Sequence, residues 1–213
     1  MKNESYYAKI FARYYDAFMY RLERTILLKK RKRLLSSLEG NILEIGSGTG
    51  INFSFYNKKA NVYAIEPSSA MMQKAETRIS ESKGKEQIAA SIKTINSGIG
   101  NPELEKEIAE GSLDAVVCTL VLCTVPDLKY TINFIQSKLK KEGKLIVLEH
   151  IHPKKFPFTA MHNLFNPFWK IFSMGCNLNR KTDIILKESG FVLVEENFFT
   201  KALPFYEAVF VLR

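Results

Sequence analysis

Asn41-Ile-Leu-Glu-Ile45 is a short, mostly apolar run that leads straight into Gly46-Ser-Gly-Thr-Gly50. No other feature limits the possible folds so strongly. The run reads as a buried strand, and the glycines as a turn that opens a helix. The first glycine permits a tight turn, and the next two let a ligand approach the backbone closely. Glu44 lies two residues before the first glycine, and Glu66 follows 20 residues after it, at the tip of a second strand, Asn61-Val-Tyr-Ala-Ile65. A carboxylate placed there can accept hydrogen bonds from both hydroxyls of a ribose. A dinucleotide fingerprint wants G-x-G-x-x-G, but residue 51 is Ile; the Gly-Lys-Ser/Thr of a P-loop is absent. A plain strand–helix turn is the bland alternative.

The rest of the chain repeats strand and helix. Further strands are expected at 91–95, 114–118, 144–149, 191–196 and 205–212, with helices at about 5–20, 21–38, 68–82, 127–141 and 182–189. Alternation of this kind gives an α/β fold, a doubly wound and mostly parallel sheet covered on both faces. Counted together the strands make seven, and the last two, joined through Pro204, imply one antiparallel strand. Residues 1–39 form N-terminal basic and aromatic helices ahead of a domain at 40–213. Within it, residues 151–181 break the alternation. There Met161, Leu164, Phe165, Phe168, Trp169 and Phe172 make one apolar helical stripe. Asn166-Pro167 suits the N-cap and first position of a restarted helix. The stripe either covers the sheet or forms a helical lid over a hydrophobic acceptor pocket, and its position after the fifth strand favours the lid.

The chain has 213 residues, 46% of them hydrophobic, enough for one well-packed domain. No apolar stretch reaches the roughly 18 residues of a spanning helix. Residues 1–20 lack the pattern of a secretory signal. Three cysteines, Cys118, Cys123 and Cys176, fit a reducing compartment. With three histidines and no HExxH or CxxC spacing, no metal is expected. Together these point to a cytoplasmic protein, with peripheral membrane contact left open. Residues 1–39 carry ten Lys/Arg against four Asp/Glu, so +6 of the net +9 sits there, centred on Lys29-Lys-Arg-Lys-Arg33. A solvated helix face, with Leu27, Leu34 and Leu38 packed inward, is the first reading of this run. An anionic membrane surface is the second, and nucleic acid the last, since no RNA-binding signature accompanies it.

Glu44-Ile-Gly-Ser-Gly-Thr-Gly50, Glu66-Pro67 and Gly111-Ser-Leu-Asp114 resemble class I S-adenosylmethionine-dependent methyltransferases, from about residue 40 to the C-terminus. More narrowly, Cys118–Val125, Leu148-Glu-His150 and Gly175-Cys-Asn-Leu-Asn-Arg180 are similar to the methyltransferase-like thiol methyltransferases of membranes and lipid droplets. Tyr14-Tyr15-Asp16 is similar to bacterial phospholipid N-methyltransferases and quinone-pathway C-methyltransferases. The hydrophobic anchoring segment of the thiol enzymes has no counterpart in residues 1–39.

The resemblance implies a Rossmann-like fold, S-adenosyl-L-methionine as donor and S-adenosyl-L-homocysteine as product. Gly46, Ser47, Gly48, Thr49 and Gly50 would hold the methionine part. Glu44 would orient its amino group, and Glu66 with Pro67 the ribose. Gly98 and Ile99, after the third strand, would face adenine; an acidic residue is usual there, so backbone and an apolar wall must suffice. Cys118, Thr119 and Leu120 would line the methionine side. The sulfonium is an activated donor, so the protein mainly aligns an acceptor lone pair with the S–CH3 axis and excludes water. A general base matters where the acceptor arrives protonated. The candidates are Glu149, His150, Asp16 and Tyr15; for Glu149-His150 the alternative is a strand-end pair bonded into a loop. Cys123 reads as a small buried residue, and His152 and His162 as surface or lid residues.

The expected activity is methyl transfer to a small lipophilic acceptor. A thiol leads, and phosphatidylethanolamine at a membrane surface is the alternative. Nucleic-acid methylation is third, since the Asn/Asp-Pro-Pro-Tyr/Phe motif and the catalytic cysteine motif of cytosine C5 enzymes are missing. A catalytically inactive cofactor- or membrane-binding module is the alternative of another class. Oligomeric state is left open.

Overall fold

A computed structural model describes residues 4–82, 87–201 and 203–213. Its seven strands form one sheet in the order β3-β2-β1-β4-β5-β7-β6, and the chain divides into two compact units, Met1–Lys106 and Glu107–Arg213.

The first unit begins with helix α1 (Tyr6–Leu22), capped by the Ser5 side chain, which accepts from the Ala8 amide. Two separate N-terminal helices were expected, but the rod does not break. One π-helical turn at Glu23–Leu27 carries α1 directly into α2 (Leu28–Leu35). The wide turn keeps Glu23 and Leu27 on the buried side together with Arg31, Leu34, Leu35 and Leu38. The three leucines expected to pack inward do so. The centre of the basic run does too: Arg31 is buried, its Nε and Nη2 donating to the Glu23 carboxylate at 3.1 and 2.9 Å. A buried guanidinium requires such a paired acceptor.

Strands β1 (Gly40–Ile45), β2 (Ala60–Ile65) and β3 (Ser91–Ile95) are parallel and in register from Gly40↔Ala60 and Asn61↔Ser91. Their bounds match the apolar runs. The glycine turn, however, opens no helix: only a 3-10 turn, Phe53–Phe55, follows. Nine residues separate Gly50 from β2, too few for a helix and its exit. Helix α3 (Ser69–Ser82) packs Met71, Met72 and Ala75 inward. A short helix, α4 (Pro102–Glu107), was not anticipated.

The second unit holds β4 (Leu113–Thr119), α5 (Leu128–Lys138), β5 (Leu139–His150), α6 (Phe158–Phe172), α7 (Thr182–Lys187), β6 (Val192–Thr200) and β7 (Pro204–Val211). β4 and β5 are parallel, whereas β7 runs antiparallel to both β5 and β6, giving the expected reversed strand. Helix α5 ends before Lys141 because Leu139 already pairs with Leu113.

Helix α6 departs most from expectation. Pro167 lies inside one continuous helix instead of starting a new one. Asn166 is no cap; its Oδ1 accepts from the Leu178 amide at 2.7 Å. The stripe does not cover the sheet: Met161, Leu164, Phe165, Phe168 and Phe172 are exposed, Phe168 by 73%. Buried His162, with Asn166 and half-buried Trp169 (spaced i, i+4, i+7), forms the inner face. Hydrogen-bonding groups face inward because they hold a loop, not an apolar surface.

Candidate active site

The glycine loop is built around one carboxylate. Buried Glu66 accepts from the Gly48 amide through Oε2 at 3.0 Å and from the Ser68 amide through Oε1 at 2.8 Å. Burial raises its pKa, against the opposing pull of these two amides. Gly48 has φ +56°, and a Cβ built there meets nothing within 4 Å, so the loop presents open backbone to a ligand. Gly50 serves another purpose. At φ +76° its Cβ would fall 2.6 Å from the Phe53 ring, so a glycine is needed for packing. Just before Gly48, Ser47 Oγ is buried and has no hydrogen-bond partner among the described residues. The tip of β3 is tied to this loop's carboxylate residue: Asn96 Nδ2 donates to the Glu66 carbonyl at 2.8 Å. Gly98 lies beside Pro67, whose Cβ is 3.6 Å from a built Gly98 Cβ, and Ile99 is half-buried.

Glu44 occupies a different place from the loop's open edge. Its two oxygens accept from Asn52 Nδ2 at 2.9 Å and the Tyr56 hydroxyl at 2.8 Å, while Arg31 Nη1 donates to Asn52 Oδ1. Glu23, Arg31, Asn52, Glu44 and Tyr56 thus form a buried chain that shapes the turn after the loop. Burial pushes the Glu44 carboxyl up to about 7 despite these donors. Sequence patterning carried no signal for this chain, since its members lie up to 33 residues apart.

Helix α1 is fastened to the same unit by charge. Thr49 Oγ1 donates to Asp16 Oδ1 at 2.6 Å, and Lys74 Nζ lies 3.0 Å from Asp16 Oδ2, with Arg78 Nη2 at 3.6 Å. The Glu4 carboxylate accepts from Ser68 Oγ and from the Ala70 amide, at the start of α3, where a negative charge is favoured. Asp16, a candidate base, is therefore committed to the glycine loop. Tyr15 packs against Phe11 with the rings tilted by 55° and their centroids 5.5 Å apart.

In the second unit, Cys118 and Thr119 end β4 in full burial. Leu120 then adopts φ +57°, a left-handed conformation costing a branched residue about 1–2 kcal/mol. Its amide donates to the Leu148 carbonyl, and the next two amides, Val121 and Leu122, both donate to Glu149 Oε1 at 2.7 and 2.8 Å. The carbonyls of this turn are held from the other side. Asn177 donates to Cys123 O through its amide and Nδ2, and Arg180 Nη1 donates to Leu122 O and Val125 O at 2.6 and 2.8 Å. Glu149 is thus bonded into a loop, the structural alternative raised for it. Burial lifts its pKa to about 7, against the two amides.

His150, the other strand-end candidate, meets a partner that no local spacing revealed. Its Nε2 lies 2.6 Å from Cys176 Sγ, and Cys123 Sγ completes a buried trio whose ligand atoms lie within 4.8 Å of one another. Hydrogen bonding from Cys123, reinforced by His150, pulls the Cys176 thiol down to about 4. The same bond pushes Cys123 up. Burial acts to lower His150, but Cys176 outweighs it and the net direction is up. His162 is buried in α6, its Nδ1 3.4 Å from the Leu178 carbonyl.

A family model described as a methyltransferase domain matches residues 15–196. The chain belongs to the methyltransferase-domain family. As such it carries an S-adenosylmethionine-dependent methyltransferase domain, and the family implies that methyl donor. The open Gly48 backbone, the unpartnered Ser47 hydroxyl and the Glu66 carboxylate fit such a ligand. The chain is 32% identical over 148 residues to thiol S-methyltransferase TMT1B of Rattus norvegicus, covering 69% of this chain and 58% of that relative. It is 22% identical over 129 residues to phosphatidylethanolamine N-methyltransferase of Cereibacter sphaeroides, covering 61% and 60%. A solved SAM-dependent methyltransferase from Aquifex aeolicus superposes with TM-score 0.61 at 14% identity, covering 90% of this chain and 93% of that one, and supports the fold. The matched stretch therefore spans under two thirds of the rat relative's length.

Proposed function

We propose that this chain moves the methyl group of S-adenosylmethionine to a small lipophilic acceptor, and that the acceptor atom is a thiol sulfur. One observation carries the reading. The three short segments that resemble thiol methyltransferases, Cys118–Val125, Leu148–His150 and Gly175–Arg180, interlock through Glu149, Asn177, Arg180 and the His150–Cys176 contact. They form a single structural unit, as segments serving one acceptor site would. The similarity to TMT1B supports the same acceptor class.

S-adenosylmethionine supplies a methyl group already activated on a sulfonium. The chain's residues bind and orient. Within the first unit, the open backbone at Gly48 and the Ser47 hydroxyl would receive the methionine part, Glu66 would accept ribose hydroxyls, and Pro67, Gly98 and Ile99 would provide the adenine wall. Asp16 fixes Thr49, and Glu149 fixes the turn after β4; both carboxylates hold parts in place. Neither is at once exposed and uncommitted, which favours an acceptor that ionises easily. A thiol, with a pKa near 8.5, does so; an alkylammonium group must first give up a proton to a base.

The second reading is N-methylation of phosphatidylethanolamine. It rests on the exposed apolar face of α6, the exposed Lys29, Lys32 and Arg33 of α2, and the Cereibacter sphaeroides relative. No helix among the described residues is long and apolar enough to cross a membrane, so contact would be through these faces. Isotopically labelled S-adenosylmethionine, offered a short alkyl thiol and phosphatidylethanolamine liposomes together, separates the readings. Label in the thiol is expected. Label in the lipid alone refutes the thiol assignment. Cofactor binding with label in neither favours an inactive module.

A further inference from the structure

Cys123, His150 and Cys176 come from three separate elements: the turn after β4, the last residue of β5, and the loop after α6. Their Sγ, Nε2 and Sγ atoms converge to within 4.8 Å of one another, and all three side chains are buried. We propose that this trio is a binding site for one zinc ion. Zinc takes thiolate and imidazole ligands at about 2.0–2.3 Å, which sets its donor atoms about 3.5–4 Å apart; His150 Nε2 and Cys176 Sγ, now 2.6 Å apart, would part by about 1 Å to admit the ion. Two thiolates and a neutral imidazole cancel the charge of a divalent cation, which removes the main cost of burying it. This donor set, sulfur and nitrogen with no oxygen, disfavours magnesium and calcium, which want oxygen ligands.

The site is held in shape by bonds that do not involve the donor atoms. Asn177 fixes Cys123 through its carbonyl, Arg180 fixes the carbonyls on either side, and Glu149 holds the preceding amides. Met174 at φ +57° and Gly175 at φ +108° turn the chain so that Cys176 points back toward β5. Asn166 Oδ1 holds the Leu178 amide two residues further on. Uptake of the ion releases the Cys123 thiol proton and the proton shared by His150 and Cys176, leaving a neutral site with three protein ligands and a fourth position for water or another donor. Bound there, zinc would pin the turn after β4 to the 175–180 loop. The inference does not depend on which acceptor the protein uses.

The test uses the full chain, purified under reducing conditions, stripped with a chelator and titrated with Co(II). One equivalent is expected to bind, with a sulfur-to-cobalt charge-transfer band and the d–d absorption of a tetrahedral site, both displaced by one equivalent of Zn(II). Cys123→Ser and Cys176→Ser should each lose the charge-transfer intensity progressively, and Cys118→Ser should keep it. Asn177→Ala, which leaves every donor atom in place, should weaken zinc affinity about 10–100-fold. Absence of the band in the wild-type chain overturns the proposal without recourse to any variant. So does a band that survives in both serine variants, or a Cys123–Cys176 disulfide in protein that takes up no metal.

Discussion

Glu149 offers a measurable consequence of burying a carboxyl group to hold a turn. Its side chain is fully buried, its Oε1 accepts from two amides, and its Oε2 has no partner among the described residues. Burial raises its pKa from 4.5 to about 7 in the folded chain. A raised acid binds its proton more tightly when folded. Its contribution to stability is therefore full below pH 4.5 and disappears as the pH rises through about 7. Between pH 5 and pH 8 the loss integrates to about 2–3 kcal/mol. Glu149→Gln keeps an oxygen for the Val121 and Leu122 amides but cannot ionise, so it lacks this term. Urea unfolding of both proteins at several pH values reads it together with the smaller response of His150 and Cys123, which the Glu149 charge also touches. The stability difference, variant minus wild type, should rise by about 2–3 kcal/mol from pH 5 to pH 8. A difference flat to within about 0.5 kcal/mol would refute the claim that desolvation dominates this site. Glu149→Leu provides the contrast. It strands two amides, at a cost of about 1–3 kcal/mol each, and should destabilise at every pH.

Two further outcomes separate packing from binding. Gly50→Ala drives a methyl into Phe53 and should cost about 2–4 kcal/mol in thermal or urea unfolding; Gly48→Ala has open space and should cost only about 1–2 kcal/mol while abolishing calorimetric binding of S-adenosylmethionine. Replacing both Phe165 and Phe168 by Asp, on the exposed face of α6, should change stability by less than about 0.5 kcal/mol each. That double variant should lose flotation with anionic liposomes and transfer to an acceptor dissolved in them, while transfer to a water-soluble thiol stays unchanged.

The apolar runs located β1, β2 and β4 to within a residue because a central strand covered on both faces is largely apolar along its length; β3, at the sheet edge and partly exposed, showed instead as alternating apolar and polar residues. The apolar runs also placed Glu66 at a strand tip, where it proved to hold the Gly48 amide. Periodicity named the stripe on α6, Trp169 apart, but not the direction it faces. A helical stripe states which residues share a side; whether that side meets the sheet depends on what the opposite side can bond. Here His162 and Asn166 find the Leu178 backbone, and the aromatic stripe turns outward.

The continuous rod at 6–35 and the missing helix after Gly50 have the same origin. Local signals suggest where an element can stop, and packing decides whether it does. Glu23 and Arg31, eight residues apart, hold the rod together across a π turn, while the nine residues before β2 leave no length for a helix.

By itself, then, the sequence determined where the strands of the alternating fold lie along the chain and where the glycine loop sits, since both follow from local hydrophobicity and backbone freedom within a few residues. Tertiary structure alone decided what the chemically distinctive side chains do. Glu44 is spent on Asn52 and Tyr56, Asp16 on Thr49, and Glu149 on two amides. Successive members of the trio Cys123, His150 and Cys176 lie 27 and 26 residues apart along the chain, beyond any local spacing pattern. Side-chain chemistry acts over a few ångströms, and only the folded chain brings such distant residues that near.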